Sequence, residues 1–177
     1  LARSSAASDV YKRQCQKWEP LATLAPEHVM YTSCLQNQQK IKELLSPSNV
    51  NEELYKRIIN LGKQSIYFEE SWKNDANLVP GCQSILFLHS YLEEQRIRLY
   101  AYSNALISQG LSQLLVMAYD NETPEAILQC PPTFLEELQI FSLFSPSRAN
   151  GLSNLYLRMK QHAFQYILDF EKSQLIS

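Results

Sequence analysis

Apolar residues recur along this chain at helical spacing, then at strand spacing, then at helical spacing again. From Ser33 to Leu45, the residues Leu35, Ile41, Leu44 and Leu45 stand among Gln and Lys, which predicts a helix stopped at Ser46-Pro47-Ser48. Asn51 is placed to cap a second helix, with Glu52 and Glu53 near its positive dipole end. Leu54, Ile58 and Leu61 form its core-facing stripe, and Gly62 stands where a helix C′ glycine belongs. From Lys63 to Asn77 the pattern is irregular, with Tyr67, Phe68 and Trp72 as anchors of an ordered loop.

The period then changes. Gln83 to Tyr91 reads as a strand, and Ile97, Leu99 and Ala101 alternate with Arg96, Arg98 and Tyr100 in a second strand over about Arg96 to Tyr102. Glu93-Glu94-Gln95 is too short for a crossover, so the pair is antiparallel. Two strands alone are marginal, so helices must cover one face, and a short third strand would fit.

Helical spacing returns with Ile107, Leu111, Leu114, Leu115 and Ala118, on a helix from Asn104 to Tyr119 that Ser103 can cap. Thr123-Pro124 starts another helix, Thr133 to Glu136 has capping-box spacing, and Ser145-Pro146 opens a last helix to about Phe170. Leu152, Leu155, Met159 and Ala163 are its apolar face. Gly110 and Gly151 lie inside helical patterns, where glycine costs roughly 1 kcal/mol against alanine. That cost predicts close packing at both, with the Cys82 region as candidate neighbour.

The sum of these elements is an α+β domain, a small antiparallel sheet of two to three strands packed with helices. Residues 1–14, containing Asp9-Val10-Tyr11-Lys12-Arg13-Gln14, resemble a translated sequencing adapter and are expected to be disordered. Met30 is then the expected start. Residues 15–45 read as an N-terminal extension and helix, and 46–172 as the domain proper.

Charge narrows the function. Lys and Arg number 16 against 18 Asp and Glu, a formal net of −2. That is no electrostatic footprint for nucleic acid, and no basic run suits an anionic membrane surface. The uncharged stretch from Leu99 to Tyr119 carries too many Ser, Asn and Gln to span lipid. The four cysteines, Cys15, Cys34, Cys82 and Cys130, form no Cys-x-x-Cys pair and no zinc-like cluster. Their spread suggests a reducing compartment, the cytoplasm.

One cysteine stands apart. In Val79-Pro80-Gly81-Cys82, Pro80 fixes φ for a turn and Gly81 supplies the positive φ that a type II turn needs next. Cys82 leaves a stiff corner where its sulfur is either presented or simply buried as a small hydrophobe. A cysteine hydrolase would need a histidine in reach, and His89 is roughly 20 Å on if the strand is extended. His162 reads as solvent-facing on the last helix, and His28 lies in the doubtful N-terminal stretch. A metal or cluster scaffold would need several cysteines at one site.

Four blocks together carry a resemblance: Ile59-Asn60-Leu61-Gly62-Lys63-Gln64, Val79 to Ser84, Tyr102 to Leu111, and Ser145 to Leu152. In this order, containing all four glycines, they resemble the SufE family, the sulfur acceptors of iron–sulfur cluster assembly. The resemblance implies an architecture shared with the NifU-like scaffolds. It implies that Cys82 is the persulfide-forming residue, with Gly81, Gln83, Asn104 and Arg148 in support. It further implies a SufS-like or CsdA-like cysteine desulfurase as donor and a SufB-like scaffold as acceptor. Pyridoxal phosphate would belong to that donor, and the chain itself would hold no cofactor. A homodimer is left open, as is the choice between SufE and its paralogue CsdE. One departure stands out: the family usually has an acidic residue where this chain has Asn104, and often another at Tyr102. Asn104 keeps a hydrogen-bonding shape without the charge that an ion pair to Arg148 would use. The apolar run after Cys82 and the aromatics of the preceding loop are the expected shield for a persulfide, which the Pro80-to-Gln83 loop would expose on docking. The rival reading is an interaction domain with an inert, buried Cys82.

Overall fold

A computed structural model of the chain describes residues 31–45, 51–64 and 67–175. The expectations for residues 1–14, Cys15, His28, Met30, the Ser46-Pro47-Ser48 stop and the Asn51 cap lie outside what it describes. Among the described residues, helices and strands follow in the order α1 (Thr32–Leu45), α2 (Asn51–Lys63), β1 (Leu86–Glu93), β2 (Arg96–Ser103), α3 (Leu106–Tyr119), α4 (Pro124–Gln129), α5 (Phe134–Glu137), α6 (Ile140–Leu143) and α7 (Pro146–Leu175). The fold is α+β, with a two-stranded antiparallel sheet packed by helices.

Strand alternation sets the two faces of the sheet. Leu86, Leu88, Ile97, Leu99, Ala101 and Ser103 are buried, whereas Phe87, His89, Arg98, Tyr100 and Tyr102 point the other way. α3 packs against β2 and α7 against β1, so the inner face of the sheet meets these two helices. Burial of a side chain such as Leu88 or Ile97, each at 0% exposure, contributes about 1.5–3 kcal/mol. The turn between the strands has positive φ at both Glu94 (48°) and Gln95 (62°), a primed geometry that matches strand twist without glycine. No third strand forms among the described residues. Isolated bridges at Leu78–Phe87 and Ile97–Glu122 stand in its place.

Three local expectations are corrected. β1 opens at Leu86, not Gln83, because its partner strand ends: Leu86 pairs with Ser103, and the preceding residue is held by the Asn104 side chain, whose Oδ1 accepts from Ile85 N at 3.1 Å. α3 is capped at Ala105 rather than Ser103. Ser103 is drawn into the sheet instead; its N–H donates to Gln109 Oε1 at 2.6 Å and its hydroxyl to Ile85 O at 2.8 Å. Thr133 forms no capping box, since its hydroxyl donates to the buried Gln38 Oε1 at 3.4 Å. Thr123 does cap α4, accepting from Ala126 N at 3.3 Å ahead of Pro124.

Gly62 and Gly110 have a different reason from the one the helix ends suggest. α2 continues through Gly62, and a Cβ there would run into the backbone carbonyl of Leu106. A Cβ on Gly110 would run into the carbonyl of Ile58, not into the Cys82 region. Each glycine lets α2 and α3 approach backbone to backbone.

Candidate functional site

The corner before β1 turns as its residue types require. Gly81 has φ 78°, open to glycine at no steric cost, and Pro80 precedes it. The corner delivers Cys82 onto a small cleft between the sheet edge and two helices. α3 lines the cleft with Ser108, Leu111 and Ser112, and α7 with Arg148, Gly151, Leu152 and Leu155, sets spaced to share one helix face. Leu86 closes the inner end. The free space is of the order of one water-sized group. Gly151 makes the fit: a Cβ built on it would stand 2.6 Å from Cys82 Sγ. The expected close packing at Gly151 is therefore against Cys82.

The three described cysteines differ sharply. Cys34 and Cys130 are at 0% exposure, while Cys82 is half-buried. Hydrogen bonding with Cys130, then burial, pushes the Cys34 thiol well above the usual thiol range. The Gln38 amide donates to Cys130 Sγ at 3.1 Å, completing a closed network. Cys82 is the described thiol that is not fully buried.

Arg148 lines the same cleft. Its guanidinium makes no hydrogen bond or ion pair among the described residues, and the first turn of α7 holds no acidic residue. A cation there lies at the positive end of its own helix dipole, which costs a few tenths of a kcal/mol to about 1 kcal/mol. Dipole and guanidinium together favour an anion in the cleft.

The other proposed supports sit around the loop rather than in the cleft. Gln83 is exposed and its Oε1 accepts from Ser147 Oγ at 3.1 Å. Asn104 is exposed and holds Ile85; it does not line the cleft or bond Arg148. Sequence reading missed Ser108, which shares a hydrogen bond of 3.0 Å with Ser84, and Asn154, whose Nδ2 donates to Pro80 O at 2.9 Å. The spacing from Gly151 to Asn154 was the available signal, since residues three apart on a helix share a face.

Two expectations about the surroundings are corrected. The loop aromatics do not shield Cys82. Phe68 lies 6.4 Å from Phe87 and 5.7 Å from Tyr102 between ring centroids, and Trp72 stacks on His89 at 4.1 Å, all on the outer face of the sheet. The cover over Cys82 comes from α3 and α7. His162 is not solvent-facing: its Nδ1 is 2.7 Å from Ser90 Oγ, and burial, then Arg158 and His89, lowers its pKa to about 4.

No described histidine lines the cleft, and no three described His, Cys, Asp or Glu residues group to hold a metal ion. No described helix is long and apolar enough to cross a membrane. Fold and site thus define a class: a small α+β domain with a partly exposed thiol at a stiff corner, beside a guanidinium with no partner among the described residues.

Comparison with known proteins gives that class its family. A model of the SufE family, described as an Fe-S metabolism associated domain, matches residues 39–163. An uncharacterized SufE-like protein of Synechocystis is 30% identical over 149 residues, covering 84% of this chain and 94% of that one. The cysteine desulfuration protein SufE of Wigglesworthia glossinidia brevipalpis is 31% identical over 114 residues, 63% of this chain and 79% of that one. The sulfur acceptor protein CsdE of Escherichia coli is 27% identical over 119 residues, 66% and 81%. The solution structure of a hypothetical protein from Thermus thermophilus shares the fold, with TM-score 0.62 and 23% identity over 75% of this chain and 96% of that one. The chain belongs to the SufE family.

Proposed function

We propose that Cys82 accepts sulfane sulfur from the persulfide of a SufS-like or CsdA-like cysteine desulfurase and passes it to a SufB-like assembly scaffold. The thiolate of Cys82 attacks the outer sulfur of the donor persulfide. One S–S bond forms at Cys82, the donor S–S bond breaks, and the donor cysteine leaves as a thiolate, with no net oxidation. The same exchange in reverse order of roles delivers the sulfur onward.

The observation that carries this reading is the contrast between Cys82, half-buried beside Arg148, and the two cysteines sealed in the core. A cleft with room for about one extra small group suits a single added sulfur. Arg148 supplies a charge-assisted partner for the persulfide anion. The apolar walls from Leu86, Leu111, Leu152 and Leu155 keep oxidants from it. The names of the relatives from Wigglesworthia and Escherichia coli point the same way. Intact mass after incubation with a SufS-like desulfurase and cysteine tests it. A gain of one sulfur atom, lost in Cys82→Ser, is the expected result. An inert interaction domain gains nothing in either form.

A further inference from the structure

The segment carrying Cys82 is laid along one face of α7. Arg158 donates to Ala76 O at 2.6 Å, Asn154 to Pro80 O at 2.9 Å, and Ser147 Oγ to Gln83 Oε1 at 3.1 Å, with Gly151 against Cys82. Positions 147, 151, 154 and 158 fall on one stripe of a helix. The loop residues they hold run in the opposite direction.

The ends of the loop are fixed differently. Val79 N donates to Leu86 O at 2.8 Å, Ser84 Oγ pairs with Ser108 Oγ at 3.0 Å, and Ile85 N donates to Asn104 Oδ1 at 3.1 Å. Between Val79 and Ser84, the described hydrogen bonds to residues 80–83 come from Asn154 and Ser147. The Ser147 bond joins two side chains, one on an exposed Gln83, and leaves the backbone free. The Asn154 bond grips the main chain at the corner itself, and Gly81 packs so closely that a Cβ there would run into Asn154 Nδ2.

We propose that Asn154 is a positioning residue, a latch whose amide holds the Pro80-to-Gln83 loop shut over the cleft and sets how often Cys82 swings out to a partner protein. The use of that motion rests on the sulfur-carrier reading; the latch itself does not. Opening at Val79 and Ser84 breaks the neutral hydrogen bond at Pro80 O together with the exposed Ser147–Gln83 side-chain pair, and water replaces both lost partners. Removing the latch raises the open fraction about fivefold, the factor set by one such bond of about 1 kcal/mol.

The test is the rate of Cys82 alkylation by iodoacetamide in the full chain, resolved by peptide mass spectrometry. Cys34 and Cys130, both sealed, report global loosening in the same sample. Asn154→Ala is expected to speed Cys82 about fivefold while leaving Cys34, Cys130 and the melting temperature in place. Alanine also has the better helix propensity, so folding is not at risk. Asn154→Asp, nearly isosteric but without the donor, is expected to speed Cys82 at least as much. An unchanged Cys82 rate in both variants overturns the latch, as does acceleration of all three cysteines together. Sulfur uptake from a SufS-like desulfurase separates the two readings. A variant that alkylates faster yet gains no sulfur, like its parent, keeps the latch and removes the carrier function.

Discussion

A Cβ on Gly151 would stand 2.6 Å from Cys82 Sγ and 2.9 Å from Cys82 Cβ, so the thiol occupies the space of the side chain that Gly151 lacks. The helix accepts a residue that costs roughly 1 kcal/mol in propensity, and the cysteine gains a seat against its backbone. Gly151→Ala should therefore force Cys82 outward. Alanine recovers the propensity term, while the displaced loop costs about 1–3 kcal/mol, so the net loss of stability is small, up to about 2 kcal/mol. Denaturant melts and alkylation rates check this: stability changes little while Cys82 reacts faster. In a Cys82→Ala background the nearest clash is gone and the stability cost shrinks.

Gly110→Ala is expected to behave in the opposite way. Its Cβ would meet the backbone carbonyl of Ile58, which has no rotamer to escape into. Overpacking of this kind costs about 1–3 kcal/mol or more. A lower melting temperature, with native Cys82 alkylation unchanged, would show that this glycine serves the α2–α3 contact and not the site.

Arg148 has no described partner to lose, so its removal should spare the fold. Arg148→Ala is expected to leave stability within about 0.5 kcal/mol, as for ordinary surface substitutions. Sulfur uptake on Cys82 should fall about tenfold, the lower end of what a charge-assisted hydrogen bond contributes. Arg148→Lys keeps the charge and should recover part of it. Equal uptake by all three forms would remove Arg148 from the chemistry.

Acid should weaken the fold through His162. Its folded pKa is about 4, below the ordinary 6.5, because burial and the nearby Arg158 and His89 disfavour its charged form. The unfolded chain thus binds this proton first as pH falls. The contribution is fully present above about 6.5 and is lost progressively down through about 4. His89, lowered by burial, adds in the same sense. Glu122, raised by burial, acts oppositely, losing stability as pH rises through its folded value. The readout is therefore a difference: stability against pH should be flatter between pH 6.5 and 4 in His162→Gln than in the parent chain.

The sequence was most informative where local chemistry and tertiary structure agree. The alternation of Ile97, Leu99 and Ala101 became the buried face of β2, and Pro80-Gly81 became a positive-φ corner at Cys82. The close approach at Gly151 was legible from the cost of glycine in a helix. Sequence reading failed where a partner distant in the chain decides the matter. Ser103 is taken from its capping role by Gln109 and Ile85, and Thr133 by Gln38. Gly62 looked like a helix end because its reason, the Leu106 carbonyl, lies on another helix. The loop aromatics precede Cys82 closely in sequence, but strand parity sends Phe87 and His89, on which they pack, to the face opposite Leu86. Periodicity left His162 free to face solvent, and only β1 places Ser90 beside it. Asn154 carried no mark of its own until the loop was seen lying along α7.

Sulfur transfer by this chain rests on one atom, the Sγ of Cys82. The full chain is incubated with a SufS-like desulfurase and S-35 cysteine, and the label is located by peptide mapping without reductant. Label is expected on the Cys82 peptide, none on those of Cys34 or Cys130, and none anywhere in Cys82→Ser. Label absent from Cys82, or retained in full by Cys82→Ser, would contradict it.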